Sequence, residues 1–293
     1  KTGSIFALIS GMMLGLFPVF VNRGVQNIPP IFFAGISTLL GAIGSVIYVF
    51  TQKKFHQLKN RKAYKPLIMV TLFIVIIPYL MLFIGASKTS GVNTSVLLLS
   101  EIIFTVIFTH FYGEKTSLYK IIGASGIFLG ALFILYNGQI SINSGDILII
   151  LSTICYPIGN FYSKKALHFV SPSIILLVRF TLAGIFLTTL SLLVEPDFNV
   201  RNIISENWII ILVNGLIILS IGKMIWYEAL KRLDISKAIS LEMTFPLFSL
   251  ATLVLFFNEE ISIHQWIGVG IMMIGVFFSI LRKSTDPAKT KYN

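Results

Sequence analysis

Ten stretches of mostly apolar residues follow one another along this 293-residue chain, with little between them. A bilayer's hydrocarbon core is about 30 Å thick, so a helix needs about 20 such residues to cross it. The stretches are 3–21, 31–50, 66–84, 92–110, 120–136, 146–162, 172–194, 208–228, 236–257 and 264–281. They are too long and too evenly apolar for outer-membrane strands, which alternate in segments of about 10 residues. The expected fold is an all-α integral membrane protein of ten transmembrane helices. The longest polar connection is 51–65, which leaves no room for a soluble domain. The first stretch has no small-residue cleavage site and no clear charged leader, so it reads as a span rather than a removed signal. Composition agrees. Hydrophobic residues make up 55% and charged residues 12%, with a mean hydropathy of +0.87; soluble domains carry about 25% charged residues. Intrinsic disorder needs the opposite balance. The lone Cys155 excludes a disulfide framework and a multi-cysteine metal site.

The net charge of +11 needs a physical account, because basic chains often meet nucleic acid. Counting Lys and Arg on alternate connections puts 18 of the 23 on one side, including the cluster Lys53, Lys54, Lys59, Arg61, Lys62 and Lys65. The other side has Arg23, Lys88 and Arg201, and Arg179 and Lys223 lie inside spans. Cytoplasmic connections carry such an excess. The asymmetry therefore predicts a multi-pass protein of the cell (inner) membrane with both termini cytoplasmic. Its partners are the lipid bilayer and a small molecule rather than nucleic acid, since no basic stretch carries the interleaved aromatics of a single-strand binder.

Shifting the chain on itself by 145 residues aligns Ser95 with Ser240, Glu114 with Glu259, Ser117 with Ser262, Gly123 with Gly268, and Gly130 with Gly275. At a slightly shorter shift Gly3 meets Gly145, Ser10 meets Ser152 and Pro30 meets Pro172. Each half holds five spans, and an odd number reverses the second half. This is the pattern of the inverted-topology repeats on which many secondary transporters are built. The expected units are 1–136, a linker 137–145, a second repeat 146–281 and a cytoplasmic tail 282–293.

Residues 85–135 and 228–278 resemble the drug/metabolite transporter superfamily, EamA type. The marks are the turn Gly113-Glu114, with Asn258-Glu259 in the second half, the glycines Gly123 and Gly268, Pro246 within a span, and Arg179 soon after Pro172. The chain departs from that pattern where Glu101 stands at the place of Pro246, Ser37 at that of Arg179, and Asn258 at that of the turn glycine. The resemblance implies a ten-helix carrier that moves small organic solutes by alternating access through a cavity between the halves, in the direction of export. It also implies that Arg179 braces the cytoplasmic helix ends.

Ionisable groups deep in a span are costly and persist where they face a cavity or a partner. Glu101 stands near the middle of the fourth span. Thr94, Glu101, Thr105 and Thr109 fall at helical spacing, which predicts a polar stripe along a cavity wall. Glu101 could hold a substrate ammonium or take up a coupling proton; a structural hydrogen bond is the alternative. Lys223 lies toward the cytoplasmic end of the eighth span beside Ser220, Trp226 and Tyr227, and could hold a carboxylate or snorkel to the surface. Glu242 in the ninth span is a second acid in the pathway, a gate partner of Lys223, or a partner of Lys237 or Arg179. Pro246 bends that helix and exposes carbonyls. In the sixth span Tyr156 and Asn160 surround Pro157 and Gly159, an interruption expected of a site-forming helix. Tyr79 follows Pro78 in the third span. Gly11 with Gly15 and Gly126 with Gly130 form GxxxG pairs, suited to packing within the bundle or to a dimer, so the chain is a monomer or homodimer.

Glu101, Lys223, Thr94, Thr105, Tyr79, Tyr156, Asn160, Trp226 and Tyr227 are thus candidate substrate contacts. Glu101, Glu242, Arg179 and Pro246 are candidates for coupling or gating. No phosphate loop, nucleophile elbow or paired-histidine motif occurs, and the four histidines are dispersed, so neither an enzyme nor a cofactor or metal is expected. Opposite charges in the spans favour a zwitterion such as an amino acid. Proton-coupled export of lipophilic cations, and a membrane sensor or assembly subunit that transports nothing, are the alternatives.

Overall fold

The computed structural model describes residues 2–111, 118–135, 142–195, 198–233, 238, 241–242 and 245–280. The connection at Glu114, most of the proposed linker, Lys237 and the tail lie outside them, as does the Thr109 side chain. No strand occurs among the described residues. The helices are α1 (Thr2–Gly24), α2 (Pro30–Thr51), α3 (Arg61–Ala86), α4 (Gly91–Phe108), α5 (Leu118–Leu135), α6 (Ser144–Ala166), α7 (Pro172–Val194), α8 (Val200–Arg232), α9 (Phe245–Phe257) and α10 (Ile263–Ile280). Seven of these are long and apolar enough to cross a membrane, and α5, α9 and α10 contribute shorter apolar segments. The chain is a multi-pass membrane protein. Large apolar side chains such as Phe50, Leu193 and Phe256 face outward, as a lipid-facing surface requires.

Helices α4, α6 and α8 start where the sequence supplies a side-chain cap. Ser90 accepts from the Asn93 amide, Asn199 from that of Asn202, and Asn143 with Asp146 forms a reciprocal capping box at α6. Glu195 accepts from the amides of Ile31 and Phe32 at 2.7 and 2.8 Å, so the end of α7 caps the start of α2. The eighth helix begins at Val200, well before position 208, and turns at Asn207 (φ −117°, ψ 16°).

The principal contacts between α1–α5 and α6–α10 come in exchanged pairs. Helix α1 packs on α8 as α6 packs on α3, and α1 on α9 as α6 on α4; α2 meets α8 as α7 meets α3. The pairs α2–α7, α4–α9 and α5–α10 are their own counterparts. The α5–α10 crossing brings backbones together: a Cβ on Gly126 would lie 3.1 Å from the Gly275 Cα, and one on Gly275 2.6 Å from the Gly123 oxygen. The Gly126–Gly130 face is therefore filled from within the chain. Gly15 likewise faces α9, where an added Cβ would stand 2.7 Å from that of Phe248.

Irregular turns fall only partly where prolines suggested. Helix α6 runs unbroken through Pro157, and Gly159 there makes room for the Phe73–Ile74 backbone and side chain of α3. The departures are two wide π turns, Thr71–Ile76 in α3 and Val213–Gly222 in α8. Their first residues are related by the same shift that aligns Ser10 with Ser152. In α3 the Ile77 amide reaches back five residues to the Leu72 oxygen, and Pro78 follows with no amide hydrogen to restore the α pattern.

Candidate functional site

The wide turn of α3, through Ile74, and a short 3-10 turn in α4, Leu98–Ser100, through Leu98, border one cavity, and the wide turn of α8 ends next to it at Gly222. Leu14 and Phe17 of α1, Ile74 and Tyr79 of α3, and Leu98 and Glu101 of α4 line it from the first half. Tyr156 and Asn160 of α6, Arg179 of α7, Lys223 and Trp226 of α8, and Glu242 and Phe245 at α9 line it from the second. Its volume is about 60 Å³, room for a few waters or one small polar group. Local irregularity explains two of these placements. Lys223 is the first residue past the α8 wide turn, and Glu101 the first past the 3-10 turn. Such turns inside helices frequently mark functional positions.

Four charged side chains meet here, and their partners differ. The Asn160 amide donates to Glu101 Oε1 at 3.1 Å. Ser10 Oγ donates to Glu242 Oε1 at 2.7 Å, and Lys223 Nζ stands 3.9 Å from the same oxygen. Arg179 Nη1 donates to the Tyr227 hydroxyl at 3.1 Å, and that hydroxyl lies 3.1 Å from Ser163 Oγ. The guanidinium also lies over the Phe180 ring, 4.5 Å from its centre. Tyr79 packs against Phe17 and Phe83 at ring separations of 5.6 and 5.5 Å, which fixes one wall.

Glu101, Lys223, Tyr79, Tyr156, Asn160, Trp226, Glu242 and Arg179 therefore come together. Thr94, Thr105, Tyr227 and Pro246 do not line the cavity. Thr94 donates to the Ser90 oxygen at 2.8 Å and lies 3.4 Å from the Asn22 amide nitrogen, toward one end of the bundle. Thr94 precedes Glu101 by seven residues, about 10 Å of helix rise, so it stands at the bundle end rather than at the cavity. Thr105 is buried, with no hydrogen-bond partner among the described residues. Tyr227 stands behind the wall as the support of Arg179, and Pro246 is a buried residue in the first turn of α9. Arg179, expected as a brace of helix ends, borders the cavity instead. The sequence reading missed Ser10 as a partner of Glu242. It also missed the apolar liners Leu14, Phe17, Ile74, Leu98 and Phe245, because apolar residues occupy every helix face and carry no signal of their own.

At the end of the bundle where α1 stops and α4 begins, carboxylates tie the connections. Arg23 Nη2 pairs with Glu259 Oε2 at 2.7 Å, and Glu259 Oε1 accepts from the Val92 amide at 3.2 Å. Asn22 donates to the oxygens of Ala86 and Thr89 at 2.9 and 3.0 Å. Asp146 accepts from Thr89 and Asn93 at 2.6 and 3.1 Å. These bonds bring α1, α3, α4, α6 and the α9–α10 connection to one point.

Comparison with known proteins gives the family. The EamA-like transporter family matches residues 1–136 and again 143–281. An "Uncharacterized transporter YoaV" of Bacillus subtilis (strain 168) is 24% identical over 270 residues, 89% of this chain and 90% of that one. A "Probable amino-acid metabolite efflux pump" of Escherichia coli (strain K12) is 22% identical over 296 residues, 96% and 95% of the two chains. A solved crystal structure shares the fold with a TM-score of 0.73 over 95% of each chain, at 14% identity.

Proposed function

We propose that this chain, which belongs to the EamA-like transporter family, is a secondary carrier that exports a small zwitterionic, amino-acid-like metabolite across the cell membrane. One observation carries the reading: two carboxylates and two cations line a single small cavity built from both halves. Glu101 receives the substrate ammonium, and it takes up a proton when the substrate leaves. Among the described residues its hydrogen-bond donor is the neutral Asn160, and no cation stands within salt-bridge distance of it. The 3.9 Å pair of Lys223 and Glu242 supplies the coupling element, closing and opening as the helices move. A lipophilic cation is a poorer fit, because Arg179 and Lys223 would oppose it. A sensor that transports nothing has no use for four charges on one cavity.

Ten spans in two inverted repeats, rocking about the cavity, form the mechanism. The exchanged helix contacts and the matched wide turns in α3 and α8 support this arrangement. The Arg23–Glu259 pair and the Asn22 bonds then form the outer gate, given cytoplasmic termini and the positive-inside rule. Export rests on the efflux-pump relatives. The test is counterflow of labelled amino acids in proteoliposomes, with and without a proton gradient. Saturable exchange that Glu101→Gln strongly weakens is expected, and no exchange of any amino acid would overturn the substrate class.

A further inference from the structure

We propose that Arg179, rather than Lys223, is the seat of the substrate's carboxylate. This rests on the carrier reading above but is decided by a different measurement. Arg179 is only 2% exposed, yet its side chain borders the cavity. Its Nη1 is committed to Tyr227. Its Nε and Nη2 are buried, and neither has an acceptor among the described residues. Those two atoms form one edge of the guanidinium. Their hydrogens point in parallel, the geometry that engages both oxygens of a carboxylate at once. Leaving two donors of a buried cation without acceptors is costly, and an anion brought by the transported solute removes that cost.

Two contacts hold the guanidinium in place. Tyr227, backed by Ser163, fixes Nη1, and the Phe180 ring covers one face of the plane. The group is therefore pre-organised and loses little freedom on binding. Lys223, in contrast, already has a carboxylate 3.9 Å away, and a substrate would have to displace Glu242 to use it. The cavity then has two unmatched charges of opposite sign: Glu101 for the ammonium and the Arg179 edge for the carboxylate. Its small volume selects the head group common to amino acids, and the side chain enters only as the helices part.

The test uses the full chain in nanodiscs with Trp208→Phe and Trp266→Phe, which leaves the cavity residue Trp226 as the fluorescent reporter. The probes are propionate, which has only the carboxylate, and ethylamine, which has only the ammonium. Propionate should bind saturably and change Trp226 emission. Arg179→Gln should weaken propionate by at least about tenfold and spare ethylamine. Arg179→Lys keeps the charge and the fold but not the two-donor edge, and should also weaken propionate about tenfold. Glu101→Gln should do the reverse, weakening ethylamine and sparing propionate. The proposal is overturned if the unaltered reporter protein ignores millimolar propionate, if Arg179→Lys binds it unchanged, or if Lys223→Gln alone abolishes binding. Because propionate binding needs no transport, a failure of amino-acid counterflow and a failure at Arg179 are separately visible.

Discussion

Glu101 on α4 and Glu242 just before α9 stand in corresponding clefts of the two halves. Each accepts a hydrogen bond from the helix that crosses it, Asn160 of α6 for the one and Ser10 of α1 for the other. Beyond the donor, the clefts differ in charge. Lys223 stands 3.9 Å from Glu242, whereas no cation within salt-bridge distance of Glu101 occurs among the described residues. A buried carboxylate beside a resident cation is held in one arrangement. One with only a neutral donor can change its partner or its proton. A near-symmetric scaffold has thus placed two acids at one cavity and divided their work by a single lysine.

The largest expected effect tests the fixed member. Glu242→Ala leaves Lys223 buried without its counter-ion and should cost about 3–5 kcal/mol, read as a lowered unfolding midpoint in detergent. The double variant Glu242→Met with Lys223→Met should recover most of it, since the two charges act as one unit. A stable Glu242→Ala protein would erase the distinction between the clefts.

Next comes the exchangeable member. Glu101→Gln keeps a hydrogen-bonding group for Asn160, so yield and melting should barely change. Transport should fall by about ten- to a hundredfold, the worth of one charged contact to substrate, and the remainder should no longer respond to a pH gradient. A pH-responsive Glu101→Gln carrier would move the proton role elsewhere.

The donors come third. Asn160→Ala and Ser10→Ala should each cost about 1 kcal/mol of stability. Only Asn160→Ala should also alter the pH response of transport, because only it touches the exchanging group. The smallest effect is expected at the partly exposed outer pair. Arg23→Gln should change stability by less than about 1 kcal/mol, because an exposed ion pair is well screened. If this pair is the outer gate, the same variant should make an introduced cysteine at Thr94 react faster with an impermeant reagent added from outside.

Much of this molecule is legible in its residues. The apolar runs identify the helices to within a few positions, except in α8, which starts earlier because Asn199 caps it there, and in α9, described as a helix from Phe245 where the run begins at 236. Glu101, Lys223 and Asn160 are visible as polar groups that an apolar span would not otherwise tolerate. Helical spacing gives Thr94 and Thr105 a common face with Glu101, but it does not say how far along α4 the cavity extends, and neither threonine lines it. The Pro157–Gly159 segment reads as a break but is a continuous helix that accepts a neighbour's side chain. The wide turn in α8 has no proline to announce it.

The sequence by itself determined that the chain is helical and crosses a membrane repeatedly, and it identified the acids and bases buried there. These follow from local free energies, the transfer of side chains to lipid and the need to satisfy the backbone within each span. Which of those charges share a partner was decided only by the tertiary structure. The pairing of Lys223 with Glu242, and the absence of an acceptor for Arg179 Nε and Nη2 among the described residues, depend on helix crossings set by small residues such as Gly15. Contact between positions more than two hundred residues apart, such as Ser10 and Glu242, is a property of packing, and no local periodicity encodes it.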